Sequence, residues 1–105
     1  TLADQNRQLP EAQALIEAGL AQMPDSAAVL DSMGWVLYRQ KRYEQALGYL
    51  KRAHELGDDA ESAVHLGEVQ WALGDKAAAR KTWQEALGRH PGNKQLEERL
   101  ARPVP

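Results

Sequence analysis

Along this chain, apolar residues recur three and four positions apart, and short polar, glycine- or proline-containing breaks separate the runs. That spacing marks one face of an α-helix, and no stretch shows the period-two alternation of a strand. Between Pro10 and Pro24 the stripe is Ala12, Leu15, Ile16, Gly19, Leu20 and Met23. Asp25 and Ser26 are N-cap types, and a second helix is predicted over roughly Ala27 to Gln40, with Leu30, Met33, Val36 and Leu37 facing inward. Lys41-Arg42 makes a turn, and Tyr43, Ala46, Leu47, Leu50, Ala53 and Leu56 carry a third helix to a stop at Gly57. Asp58-Asp59 caps the next, with Glu61 placed to complete an Asp version of the capping box from Asp58. That helix holds Ala63, Leu66, Gly67, Val69 and Leu73 and ends at Gly74. Asp75 caps a helix with Ala79, Thr82, Trp83, Ala86 and Leu87, closed by His90-Pro91-Gly92. Asn93 caps a last short helix with Leu96 and Leu100, and Arg102-Pro103-Val104-Pro105 leaves the helical pattern. At the other end, Thr1 to Gln5 reads as the end of a helix whose beginning is missing. Asn6-Arg7-Gln8 reads as a polar break, with Pro10 in the first turn of a new helix. The pattern predicts an all-α chain of six to seven helices, arranged as antiparallel hairpins.

The stretch Asp31 to Ala53 returns when shifted by 33 residues: Gly34 lands on Gly67, Ala46 on Ala79, Leu50 on Trp83 and Ala53 on Ala86. Small residues stay small and large ones stay large. Self-similarity at this period indicates stacked supersecondary units rather than one closed core. A glycine in mid-helix costs ~1 kcal/mol relative to alanine. Gly34 and Gly67 therefore predict places where a neighbouring backbone comes close.

These residues resemble the tetratricopeptide repeat, a helix-turn-helix unit of 34 residues. With Ala27 at position 1, Met33-Gly34, Tyr43, Ala46, Leu50 and Ala53 fall on its landmarks; with Ala60 at position 1, Leu66-Gly67, Gly74, Ala79, Trp83, Ala86 and Pro91 do. Leu9, Ala12, Ile16, Gly19 and Pro24 match the second half of an earlier unit. The division follows as a partial repeat over 1–26, full repeats over 27–59 and 60–92, a capping helix over 93–101 and a tail over 102–105. The first full repeat is one residue short and ends in Gly57-Asp58-Asp59 where proline is usual; Gln70 stands where the pattern has Tyr, and Gly19 where it has Ala. The resemblance implies an α-solenoid with a right-handed superhelical twist, helix A of each pair on the concave side and helix B outside. Thr1-Leu2-Ala3-Asp4, Asp31 to Arg39 and His65 to Glu68 are similar to the C-terminal repeats of large proteobacterial proteins of this family. Many of those are lipoproteins at the periplasmic face of the outer membrane, acting as scaffolds or adaptors. That likeness implies the same location through a lipidated parent, a cytoplasmic location being the alternative.

With 105 residues, 43% of them hydrophobic and 27% charged, the composition suits one globular domain. A net charge of -2 gives no basic footprint for nucleic acid or an anionic membrane. No apolar run approaches the ~18 residues of a membrane span, so membrane insertion is not expected. The absence of cysteine removes disulfides, thiolate metal sites and a thiol nucleophile. The chain begins on Thr1 without Met and is read as a piece of something longer.

On the second helix, Asp31, Trp35, Tyr38 and Arg39 fall on a face different from the buried stripe; on the fourth, the matching face holds Val64, Glu68, Trp71 and Ala72. Trp35 and Trp71 are 36 residues apart, which predicts closely spaced heights on neighbouring helices. One reading is an aromatic groove of Trp35, Tyr38 and Trp71, with Arg39 for a carboxylate and Asp31, Glu61 and Glu68 for basic groups; aromatics and arginine are the usual hot-spot types. The alternative is that the tryptophans pack between helices, or that Trp71 lies under the terminal helix. Trp83 sits on a core landmark. Some domains of the resembled family clamp a C-terminal carboxylate with Lys and Asn at helix A positions 5 and 9. Here those positions are Asp31 and Trp35, then Val64 and Glu68, so the clamp is missing.

No catalytic constellation is visible. His54, His65 and His90 do not share a helix at metal-ligand spacing, and Ser26, Ser32 and Ser62 read as caps or exposed positions. His65 and Glu68 read as a surface pair. No metal or cofactor is expected. The expectation is a non-enzymatic module that binds a protein or peptide partner in the concave groove. The alternative is a structural cap of a longer solenoid, favoured by a last helix whose Lys94, Glu97, Glu98 and Arg99 surround Leu96 and Leu100. Partly uncovered Leu9, Leu15 and Ile16 predict weak self-association through the N-terminal end.

Overall fold

The structure, a computed structural model, describes residues 2–57 and 59–102, and for residues 2–10 the backbone alone. Six helices run in order: α1 Leu2–Gln22, α2 Ala27–Arg39, α3 Tyr43–Leu56, α4 Ala60–Ala72, α5 Lys76–Arg89 and α6 Lys94–Leu100. No strand occurs among the described residues. The expected break at Asn6-Arg7-Gln8 is absent, because α1 runs through it. None of those three residues is a helix breaker, and Arg and Gln are good helix formers. Two expected helices are thus one.

Capping follows the sequence with one correction. Ser26, Asp75 and Asn93 each accept from the backbone N–H three residues on, at Val29, Ala78 and Leu96. The expected box from Asp58 to Glu61 gives way to a cap at Asp59, whose carboxylate accepts from both the backbone N–H (2.8 Å) and the hydroxyl (2.6 Å) of Ser62. Ser62 is therefore buried rather than exposed. Asp58 lies outside the described residues.

Neighbouring helices pack as antiparallel hairpins, α2 on α3 and α4 on α5. α2 also reaches α4, and α4 reaches α6. The even-numbered helices thus line one side of the array and α1, α3 and α5 the other. Two core clusters result. Met33, Leu37, Ala46, Leu50, Leu66 and Val69 form one, bridging the first pair to the second. Ala63, Val64, Ala79, Trp83, Ala86 and Leu96 form the other, so α6 closes the second pair.

Both mid-helix glycines are required by packing, though the close neighbour is chiefly a side chain rather than a backbone. A Cβ on Gly34 would lie 2.4 Å from Leu50 Cγ, and one on Gly67 would lie 2.0 Å from Trp83 Nε1. Real contacts of this kind do not occur, so the large residue of each outer helix is seated on the glycine of its partner. Trp83 is 0% exposed. The turns differ between repeats. Gly74 has φ +90°, and Lys41, 33 residues earlier, has φ +65°. A side-chain-bearing residue therefore holds a left-handed conformation that glycine adopts freely.

Candidate functional site

The side built from α2, α4 and α6 carries most of the expected partner-facing residues. Asp31 and His65 join α2 to α4: His65 Nδ1 lies 3.0 Å from both carboxylate oxygens of Asp31, which requires its proton on Nδ1. The imidazole stacks on Trp35, centroids 4.1 Å apart, and Trp35 stacks on Tyr38 at 4.7 Å. Tyr38 in turn meets Tyr43 at 5.6 Å. His65, read from sequence as a surface partner of Glu68, instead belongs to this aromatic stack. The sequence signal was present in the 34-residue separation of Asp31 and His65, which puts His65 one position past Val64, the repeat equivalent of Asp31.

Glu68 and Trp71 belong to a second group at the other edge of α4. Glu68 is 8% exposed. Its Oε1 accepts from Arg99 Nε at 2.9 Å and Arg102 Nη2 at 2.7 Å. The Arg102 guanidinium lies 4.9 Å from the Trp71 ring centre and 5.5 Å from that of Trp83, and the two indoles stack at 5.8 Å. Lys76 Nζ is 5.2 Å from the Trp71 ring. Trp71 is thus covered by the chain following α6, and the structure does not bring it onto the Trp35 stack. Glu68 is likewise engaged by the chain's own arginines. Val64, expected on the open face, is 2% exposed in the second core cluster, and its carbonyl accepts from Trp83 Nε1 at 3.4 Å. Arg39 and Glu61 are exposed; Asp31, Trp35, Tyr38 and Trp71 are half-buried.

Electrostatics tie the two groups together. Burial pushes the Tyr38 phenol above its ordinary pKa, and the nearby Glu68 charge adds to the rise against smaller opposing effects of Arg102 and Arg99. Asp31, Glu61 and His65 bring potential ligand atoms within 4.8 Å of one another. This combination joins two helices, so spacing along one helix did not reveal it. Asp31 and His65 already satisfy each other, and Glu61 stands in solvent beside an open depression of about 530 Å³ shared with Asn93, Lys94 and Gln95.

Paired helices in register, each pair closed by small-on-large packing and the α2–α4–α6 side carrying aromatic and charged side chains, define a helical-repeat domain. The tetratricopeptide repeat family model matches residues 1–61, 33–94 and 64–102, and the chain belongs to that family. A TPR repeat-containing protein of Pseudomonas aeruginosa is 46% identical over 68 residues, which are 65% of this chain and 12% of the relative. The match therefore spans a small part of that protein. Among solved structures, the second TPR domain of human RPAP3, in complex with the HSP70 peptide SGPTIEEVD, superposes with a TM-score of 0.82 at 20% identity, over 92% of this chain and 82% of that one. The first TPR of Spaghetti (RPAP3), bound to the HSP90 peptide SRMEEVD, gives 0.83 at 18% identity, over 91% and 77%. At such identities the likeness shows the fold.

Proposed function

We propose that this chain is a non-enzymatic protein-interaction module that takes a segment of a partner protein along the α2–α4–α6 side. The observation that carries the reading is the continuous Asp31–His65–Trp35–Tyr38 stack beside exposed Arg39. It presents half-buried aromatic surface with a cation at its edge, the composition of an interaction hot spot. The two structural neighbours bind peptides in complexes of their own, which supports peptide binding here at the level of the fold. Their acidic peptides are not the expected ligand. The clamp positions carry Asp31, Trp35, Val64 and Glu68, and the carboxylates among them are already paired within the chain. A scaffold or adaptor role in a larger protein at the periplasmic face of the outer membrane extends this reading and rests on sequence resemblance. Fractionation of cells expressing the parent protein tests it.

The direct test is affinity capture from a cell-envelope extract with the wild-type chain and a Trp35→Ala/Tyr38→Ala/Arg39→Ala variant, both confirmed folded by circular dichroism. Trp71 is left intact because it packs on Trp83. A partner retained by the wild type and lost by the variant is the expected result. Equal retention by both would remove this face from the binding site. A capping role is the second reading, favoured by α6: Leu96 is fully buried while Lys94, Gln95, Glu97 and Glu98 are exposed.

A further inference from the structure

We infer that Glu68 and Trp71 form an arginine-recognition site that the chain's own Arg102 occupies. The geometry comes first. Arg102 lies beyond the last residue of α6, in a turn where its backbone N–H donates to the Arg99 carbonyl at 3.1 Å. From there its side chain crosses to α4, donates to the Glu68 carboxylate and lies over the Trp71 indole. A carboxylate at one edge and an aromatic face beneath are the two contacts that a planar guanidinium satisfies together. The compact ammonium of lysine fits them less well, because it presents no flat surface to the ring.

The site also has a reason to stay filled. Glu68 is a nearly buried carboxylate, and an unpaired charge there is strongly unfavourable. Arg99 supplies one charge-assisted bond from inside α6, and Arg102 supplies the other from outside the helix. Arg99 is fixed by helical backbone. Among the described residues the backbone of Arg102 is held by one turn hydrogen bond and its side chain by Glu68 and the faces of Trp71 and Trp83, so it is the cation that an incoming arginine can replace without unwinding α6. The site shares the α2–α4–α6 side with the aromatic stack, and the phenol of Tyr38 senses the Glu68 charge. The partner segment of the proposed function would therefore carry an arginine, and Arg102 would compete with it in cis. This rests on that reading only for the identity of the ligand's source; the site itself is tested without a partner.

The experiment uses the full chain labelled with nitrogen-15 and follows the Trp71 indole N–H, assigned with Trp71→Phe. The probes are N-acetyl-arginine amide and N-acetyl-lysine amide. In wild type neither probe should move the Trp71 signal. In Arg102→Ala the arginine probe should give a saturable shift, with the lysine probe about tenfold weaker. Adding Glu68→Gln to Arg102→Ala should abolish the response. Arg102→Lys keeps the charge beside Glu68 and guards against loss of fold; it should also respond to the arginine probe, less than the alanine variant. No shift in either Arg102 variant would overturn the inference. So would equal responses to both probes, or a wild-type response as large as that of Arg102→Ala. Failure of the partner capture above, with these shifts observed, would leave the site standing and remove only the partner.

Discussion

Gly67 and Trp83 are the residues on which the second hairpin turns. Alanine at position 67 would gain about 1 kcal/mol of helix propensity. It would also force a methyl into the Trp83 ring, at a cost of about 1–3 kcal/mol or more. We expect net destabilisation. Trp83→Ala should itself cost about 3–5 kcal/mol, and on that background Gly67→Ala should become neutral or stabilising. Urea unfolding of the four proteins in a double-mutant cycle measures this; an identical cost in both backgrounds would mean the clash is not the reason for the glycine. The need for a small residue was legible in sequence from the recurrence at 34 and 67, but its cause was misread as backbone approach, because the ring's direction is not encoded in spacing. Tyr38 gives a second residue-scale prediction. Its phenol should ionise above the ordinary tyrosine range in an absorbance titration, assigned with Tyr38→Phe, and Glu68→Gln should bring it down. Tyr38 titrating identically in both proteins would contradict the proximity of that charge.

Among the helices, α4 shows how much a terminus contributes. Burial raises the Asp59 carboxyl, but the two hydrogen bonds from Ser62, with His54 and His65 nearby, together outweigh that rise, so the folded value lies below the ordinary 3.8. A depressed carboxyl contributes stability that is present above the unfolded value and disappears as pH falls through the folded one. Thermal melts should therefore show a loss on acidification through and below the ordinary aspartate range, reduced in Asp59→Asn. At neutral pH, Asp59→Ala should cost about 1 kcal/mol. A pH profile unchanged by Asp59→Asn would assign the acid sensitivity elsewhere. From α2 onward, helix order and stripes were readable, since Leu30, Met33, Leu50 and Ala86 lie at the spacing that burial demands; at α1 the polar run Asn6-Arg7-Gln8 did not break the helix. The cap was displaced by one residue because Asp58 and Asp59 are the same residue type, and only Ser62 selects between them. Glu68 and Trp71 were expected on an open face; that they are covered depends on Arg99 and Arg102, whose reach across to α4 has no sequence periodicity.

At the level of the whole molecule, the described helices touch through adjacent layers, and the first and last of them differ. α6 presents a polar outer surface, whereas Leu15 on α1 is 76% exposed. Weak pairing through α1 follows as an expectation, measured as a concentration-dependent sedimentation coefficient that Leu15→Gln should remove; a monomer at every concentration would exclude it. The left-handed Lys41 adds a bias between the hairpins. Relieving it with Lys41→Gly trades a steric penalty of about 1–2 kcal/mol against about 0.5–1 kcal/mol of lost chain restriction, a gain local to the α2–α3 turn. In a stack held by nearest neighbours, such a change alters the order in which layers come apart more than it alters their number. Amide exchange should then slow first in α2 and α3, and the layer beneath α6 should become the earlier to open.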